Sequence, residues 1–222
     1  MQRLLDILFS GLALLVLSPL LLVVAVILRF TGEHEVFYVQ QRVGKGGRMF
    51  GLLKFATMLK DSPNIGTGTV TVKDDPRVLP VGRVLRKTKI NELPQLINVL
   101  KGDMSLIGPR PQTQRCFDAF PPDQQDAIIK VRPGLSGIGS IVFSNEEELL
   151  QGHKDSLKFY DDVIAPYKGA LEQWYVSNRT LTTYFKLILL TVIVVATKNT
   201  GVIFRAFPNL PPMPSKLASR EG

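Results

Sequence analysis

Cysteine is almost missing from this sequence: Cys116 stands alone among 222 residues, so no internal disulfide can close. Histidine is nearly as scarce, with only His34 and His153, and no Cys/His set recurs at zinc-ligand spacing, which argues against a structural metal framework. The glycine-rich stretch Gly44-Lys45-Gly46-Gly47 lacks the Gly-Lys-Ser/Thr ending of a P-loop, so ATP-type phosphate cradling is disfavoured. No internal repeat is present. Acidic residues are in deficit, 19 against 27 Lys and Arg, and the deficit is local: residues 36–116 hold 14 Lys and Arg against 5 Asp and Glu. Such a block suits nucleic acid, anionic lipid headgroups or a phosphorylated small substrate, and net charge cannot choose among them. The block has no aromatic interleaving and no helix-turn-helix or RRM pattern, which sets nucleic acid aside as a partner. At 45% apolar, the chain has enough hydrophobic residues to bury a core and does not read as disordered.

What the sequence does have is one long hydrophobic run. Ile7 to Leu28 is 22 residues without a formal charge, and a straight helix of that length covers about 33 Å, one hydrocarbon core. The run exceeds a signal-peptide h-region, and Arg29-Phe30-Thr31-Gly32-Glu33 lacks a small-x-small cleavage site. Ser18-Pro19 sits near its middle. The proline removes one backbone hydrogen bond, and the serine hydroxyl can satisfy the carbonyl it frees. Two short halves can form a hairpin that enters and leaves one leaflet, keeping Arg3 and the basic block after Arg29 on one side; a kinked true span is the alternative.

Beyond the run, Val36 to Val39 and Met49 to Phe55 flank a basic glycine turn and predict a hairpin. Residues 61–80 read as a loop with a short Thr-Val strand and a turn at Asp74-Asp75-Pro76. Asn91 is the expected N-cap of a helix over Glu92–Leu100, with Pro94 tolerated in its first turn. Pro109-Arg110-Pro111 pins one arginine and Arg132-Pro133 a second. Residues 145–175 are expected to be helical. Leu181, Tyr184, Phe185, Ile188, Leu189, Val192 and Ile193 share one helix face, too short for a second crossing and suited to an interfacial or core-docked helix. Trp174-Tyr175 suits either the lipid interface or the core, and His34, His153 and Cys116 read as surface or packing residues.

Taken in order, Ser18-Pro19, Lys54-Phe55-Ala56-Thr57-Met58, Asp75-Pro76-Arg77, Gly82-Arg83-Val84-Leu85-Arg86-Lys87, Glu92-Leu93-Pro94-Gln95-Leu96, Lys101-Gly102-Asp103-Met104-Ser105 and Gly108-Pro109-Arg110-Pro111 resemble the bacterial sugar transferases, the monotopic phosphoglycosyl transferases, from about residue 1 to 196. The resemblance implies transfer of a sugar-1-phosphate from a UDP-sugar to polyprenol (undecaprenyl) phosphate with release of UMP, the first membrane step of polysaccharide assembly. It also implies Mg²⁺, membrane lipids as partners, and a monotopic position on the cytoplasmic face of the bacterial inner membrane; a homo-oligomer is left open. The fold it implies is α+β and mostly helical. Residues 1–30 form a re-entrant membrane helix broken at Ser18-Pro19 and 31–200 a small catalytic domain with interfacial amphipathic helices; 201–222, with four prolines from Pro208 on, is expected from its composition to be a disordered tail.

The family carries an Asp-Glu dyad where this chain has Asn91-Glu92, and in the family the Asp attacks the sugar-linked phosphate. An amide is uncharged and poorly nucleophilic, so that step does not carry over to Asn91 as it stands. Three routes remain: Glu92 as nucleophile, direct attack by the lipid phosphate, or a site that binds substrates and turns over poorly. A noncatalytic membrane-anchored scaffold is the rival reading. Asn91 and Glu92 are the candidate catalytic pair. Lys54, Arg86, Arg110 and Arg132 are candidate phosphate contacts, because guanidinium forks and ammonium groups match phosphate oxygens. Glu92 is the candidate Mg²⁺ ligand, with Asp103 or Asp75 as a weaker second.

Overall fold

The computed structural model describes residues 1–66, 71, 74–150 and 155–218. His153, most of the expected Thr-Val strand and the end of the tail lie outside the described residues. The chain is α+β and mostly helical, with two small two-stranded sheets among the described residues.

The hydrophobic run forms one helix, α1 (Gln2–Arg29), that continues through Pro19. Pro19 has no N–H for the Leu15 carbonyl, and Ser18 Oγ donates to that carbonyl at 2.8 Å. The expected break is therefore one lost rung, repaired by the neighbouring hydroxyl, and the helix is not divided into separate halves. Both ends of α1 rest on the body. At the start, Asp6 is buried and accepts from Ser105 Oγ, the Leu106 N–H and Tyr184 Oη at 2.9–3.0 Å. Arg3 donates to the Val99 and Leu100 carbonyls. At the other end, Val24 and Leu28 pack with Phe55 and Leu85. Between them, from Gly11 to Val23, no residue is buried.

The predicted hairpin is present: β1 (Phe37–Val43) pairs antiparallel with β2 (Met49–Phe55), Tyr38 opposite Lys54 and Arg42 opposite Phe50. Its turn needs glycine at Gly46 and Gly47, where φ is +69° and +74°. The loop after β2 is clasped at its base. Arg77, buried, pairs with Asp75 at 2.5 Å and donates to the Ser62 and Ile65 carbonyls.

Helix α2 (Pro80–Lys87) leads to a tight turn at Ile90–Glu92, entered through Lys89 in the left-handed region at φ 60°. The next helix, α3 (Gln95–Lys101), begins after Pro94. Asn91 therefore does not cap it. The Glu92 and Leu93 amides bond back three residues, to Lys89 and Ile90, and no side chain caps the helix start.

After α3, β3 (Ser105–Ile107) pairs in parallel with β4 (Gly134–Ser136). Their loops approach so closely that a Cβ on Gly134 would fall 2.1 Å from the Gly108 nitrogen. Between them lie α4 (Gln114–Asp118) and α5 (Pro122–Ile128). The main core is closed by α6 (Ile138–Val142), α9 (Ala165–Ser177) and α10 (Leu181–Thr197), with Ile107, Ile138, Leu171, Tyr175 and Leu187 inside it.

Three expectations are refined. Of 145–175, expected to be helical, α7 (Glu146–Leu149) is a short helix, and α8 (Ser156–Phe159) runs through a π-helical turn at Tyr160–Ile164 directly into α9, with 151–154 outside the described residues. Pro166, which cannot donate to the preceding turn, sits at the start of α9. The tail, expected to be disordered from 201, forms α11 (Val202–Ala206) and α12 (Ser215–Ala218) and buries Ile203, Phe207, Leu210 and Leu217. Trp174 packs edge-on to Phe207. Finally, α10 is docked on the core through Tyr184, Leu187, Leu190 and Val194, so of the expected face only Tyr184 is fully buried. Phe185, Leu189, Val192 and Val195 are exposed, and Phe185 meets Phe9 of α1 edge-on, which joins the two apolar surfaces.

Candidate active site

The site is built where the hairpin, the turn before α3 and the loop after β3 meet. Side chains alternate along a strand, so residues 38, 40 and 42 of β1 share a face with 50, 52 and 54 of β2. That face carries Arg42 and Lys54. The Ile90–Glu92 turn brings Glu92 to it, and the Pro109-Arg110-Pro111 corner brings Arg110. The corner is held on several sides. The Arg110 N–H donates to Glu172 Oε1 at 3.0 Å, Arg42 donates to the Pro111 carbonyl at 3.1 Å, and the Val43 N–H to the Gln112 carbonyl at 2.9 Å.

Arg110 Nη2 meets Glu92 Oε1 at 3.0 Å. Burial alone would push the Glu92 carboxyl up, but Arg110, Lys54 and Lys89 outweigh it and hold the group well below the usual carboxylate range. Glu92 in turn raises Arg110. Lys54 goes the other way: burial, then the charge of Arg42, lower it to about 7. Arg42 is lowered to about 10 by burial and by Arg110, and Lys89 is lowered chiefly by burial. Four cations therefore act on one carboxylate, and three of them, Lys54, Arg42 and Lys89, hold their protons more weakly than usual, first because they are buried and then because cations outnumber the carboxylate. A phosphate group would supply the missing negative charge.

Beneath Arg110, Glu172 is buried, and its Oε2 has no hydrogen-bond partner among the described residues. Burial raises its carboxyl to about 7, against the Arg110 N–H and Lys168, which favour the charged form. Lys168 is itself buried and paired with Glu146.

The structure thus brings Lys54, Glu92 and Arg110 together. Arg86 lies at the margin, paired with Glu147 at 2.6 Å and within electrostatic reach of Lys54. Asn91 is buried beside Glu92 in sequence, and its amide makes no hydrogen bond among the described residues. Three candidates are elsewhere. Arg132 donates to the Gly102 carbonyl at 2.8 Å and lines a different cavity, because its proline corner faces the end of α3. Asp103 accepts from Asn98, whose amide also ties down Gly51 and Leu53 of β2. The seven residues of α3, about 10 Å of helix, separate it from the Glu92 turn. Asp75 is engaged by Arg77. Neither carboxylate joins Glu92, and among the described residues no group of three His, Cys, Asp or Glu side chains gathers. Arg42, Lys89 and Glu172 were not anticipated. The hairpin register signals Arg42, which shares Lys54's face, whereas Glu172 is brought in by tertiary packing alone.

Residues 1–198 match the family model described as bacterial sugar transferase. The chain is 43% identical over 143 residues to the UDP-N-acetylgalactosamine-undecaprenyl-phosphate N-acetylgalactosaminephosphotransferase of Aeromonas hydrophila, covering 64% of this chain and 34% of that protein. It is 33% identical to the UDP-glucose:undecaprenyl-phosphate glucose-1-phosphate transferase of Caulobacter vibrioides over 86% of this chain and 68% of the relative. It is 30% identical to the undecaprenyl-phosphate galactose phosphotransferase of Salmonella typhimurium over 90% of this chain and 41% of the relative. The chain therefore spans about a third to two thirds of the length of these relatives. With the match running from α1 through α10, the chain belongs to the bacterial sugar transferase family.

Proposed function

We propose that this protein transfers a sugar-1-phosphate from a UDP-sugar to undecaprenyl phosphate and releases UMP, at the cytoplasmic face of the bacterial inner membrane. The observation that carries this reading is the Glu92–Arg110 pair set among Lys54, Lys89 and Arg42, a cationic site for phosphoryl oxygens. Transfer of a phosphoryl group depends mainly on positioning and charge stabilisation, which is what this cluster supplies.

The acceptor attacks directly. A phosphate oxygen of the lipid forms a bond to the sugar-linked phosphorus, the bond from that phosphorus to the bridging oxygen breaks, and UMP leaves with the electron pair. Asn91 is a neutral amide, and Glu92 is a strongly acidic, ion-paired carboxylate, so neither is suited to the attack. Arg110 and Arg42 bind and orient phosphate oxygens, and Lys54 takes up a proton when a phosphate arrives beside it. The donor set fits Mg²⁺ with Glu92 as its one protein ligand: Glu92 Oε2 is not engaged by Arg110, and Mg²⁺ combines one or two carboxylates with water and substrate oxygens. When bound, the ion would neutralise diphosphate charge.

The contacts of α1 support a re-entrant membrane mode. A helix that crossed a bilayer with the body on one side would hold only one end against that body, whereas both ends of α1 touch it and no residue from Gly11 to Val23 is buried. We read α1 as re-entrant, dipping its apolar middle into one leaflet beside the exposed face of α10.

The test uses the full chain in detergent with undecaprenyl phosphate and UDP-N-acetylgalactosamine, UDP-glucose or UDP-galactose, measuring UMP and lipid-linked sugar. Both products are expected with at least one donor and are lost in Glu92→Gln. Release of UMP without a lipid product, or equal turnover in Glu92→Gln, contradicts the reading.

A further inference from the structure

A cavity of about 330 Å³ opens between the start of α1, the β1–β2 turn and the α9–α10 connection. That volume is at the lower end of small-molecule sites. Arg3, Lys45, Arg132 and Arg179 line it. Lys45 and Arg179 are exposed and make no ion pair or side-chain hydrogen bond among the described residues. Arg3 and Arg132 are held in place by neutral partners only, the carbonyls of Val99, Leu100 and Gly102 at the end of α3. The one carboxylate in the lining, Asp6, is already satisfied by Ser105, Leu106 and Tyr184. Four cations thus face a hollow whose single anion is occupied, while Gln2, Ser105 and Tyr175 complete a polar wall.

We propose that this cavity is a second anion site, separate from the Glu92 cluster, that takes a phosphate group. Two guanidinium groups anchored by carbonyls form a preset fork, and Lys45 and Arg179 close on the ligand from the rim. The same chemistry serves a free phosphate or the headgroup of an anionic lipid. The site adjoins α1, the segment with the long apolar run, which makes a lipid headgroup accessible to it.

Calorimetric titration of the full chain in detergent with inorganic phosphate at low ionic strength tests this. Two equivalents are expected, and Lys45→Gln/Arg179→Gln should lose one of them, its affinity falling about tenfold or more. Lys45→Gln alone, at an exposed turn position, should weaken the same equivalent by a smaller factor, and Lys45→Arg/Arg179→Lys should retain it. Arg110→Gln should weaken the other equivalent. Repeating the titration in phosphatidylcholine nanodiscs, with and without phosphatidylglycerol, separates the sources. Competition by phosphatidylglycerol that disappears in Lys45→Gln/Arg179→Gln assigns the site to a lipid headgroup; undiminished phosphate binding assigns it to the free ion. Wild-type binding of a single equivalent, or a double variant that binds phosphate and lipid as the wild type does, overturns the proposal. Because Glu92→Gln leaves the cavity untouched, failure of the transferase reading would not remove the second equivalent.

Discussion

Arg110 and Arg132 begin alike and end differently. Each precedes a proline, each lies on a loop beside the parallel β3–β4 pair, and Gly134 N–H, just after the Arg132 corner, donates to the Pro109 carbonyl of the other, while Ser105 N–H at the start of β3 donates to the Pro133 carbonyl. Arg110 reaches a carboxylate, Glu92, whereas Arg132 reaches a carbonyl at the end of α3. The local motif fixes the backbone at each arginine, and the element across from it decides what the charge does. The first pair gives a cation shared with an acid, and the second leaves a cation with its charge uncompensated.

The strongest way to break the comparison is Glu92→Gln, which leaves Arg110 in the same position as Arg132; transfer should fall about 100-fold or more by UMP release. Next comes a double-mutant cycle. Glu92→Gln with Arg110→Gln should show a coupling of about 1 kcal/mol or more in transition-state energy, whereas Glu92→Gln with Arg132→Gln should be additive within about 0.5 kcal/mol. Arg110→Lys keeps the charge but loses the fork and should cost about tenfold in kcat/KM.

The pH dependence is smaller and has a defined sign. Lys54 is lowered from 10.5 to about 7, so between those values the unfolded chain holds a proton that the folded one has lost. Its contribution to stability is complete above pH 10.5 and is lost as pH falls through 7. Phosphate reverses the preference by favouring the charged lysine. Donor affinity should therefore decline above pH 7, and Lys54→Met should flatten both the stability profile and the binding profile. Glu172 is raised from 4.5 to about 7, so its contribution is complete below pH 4.5 and is lost as pH rises through 7. Glu172→Gln, which keeps an acceptor for the Arg110 N–H, should raise Tm by about 2–4 °C at pH 8 and hardly at all at pH 4.5.

The hairpin was legible because Gly46 and Gly47 specify its turn and the flanking residues alternate. The pairing of Ser18 with Pro19 was legible too, although the hydroxyl repair keeps α1 whole. The buried face of α10 was not, since that helix is apolar all round and its periodicity points in several directions at once. The four prolines after Phe207 suggested disorder, but a chain with fixed φ and few N–H donors can also pack: Leu210 and Leu217 are buried, and Tyr167 donates to the Pro211 carbonyl. At the site, Lys54, Glu92 and Arg110 are bound into family motifs, whereas Glu172 meets Arg110 across 62 residues with no local signature. Arg132 looked like Arg110 because the sequence shows the corner and not the side chain's destination.

The central claim is that the Glu92–Arg110 cluster lets the lipid phosphate attack the donor directly, with Asn91 forming no covalent bond. Rapid-quench measurement of UMP from UDP-sugar, with and without undecaprenyl phosphate, tests it most directly. UMP should appear only when both substrates are present, with acceptor-independent release gained in Asn91→Asp. A burst of about one UMP per wild-type protein from donor alone, with the sugar phosphate left on the chain, would contradict it.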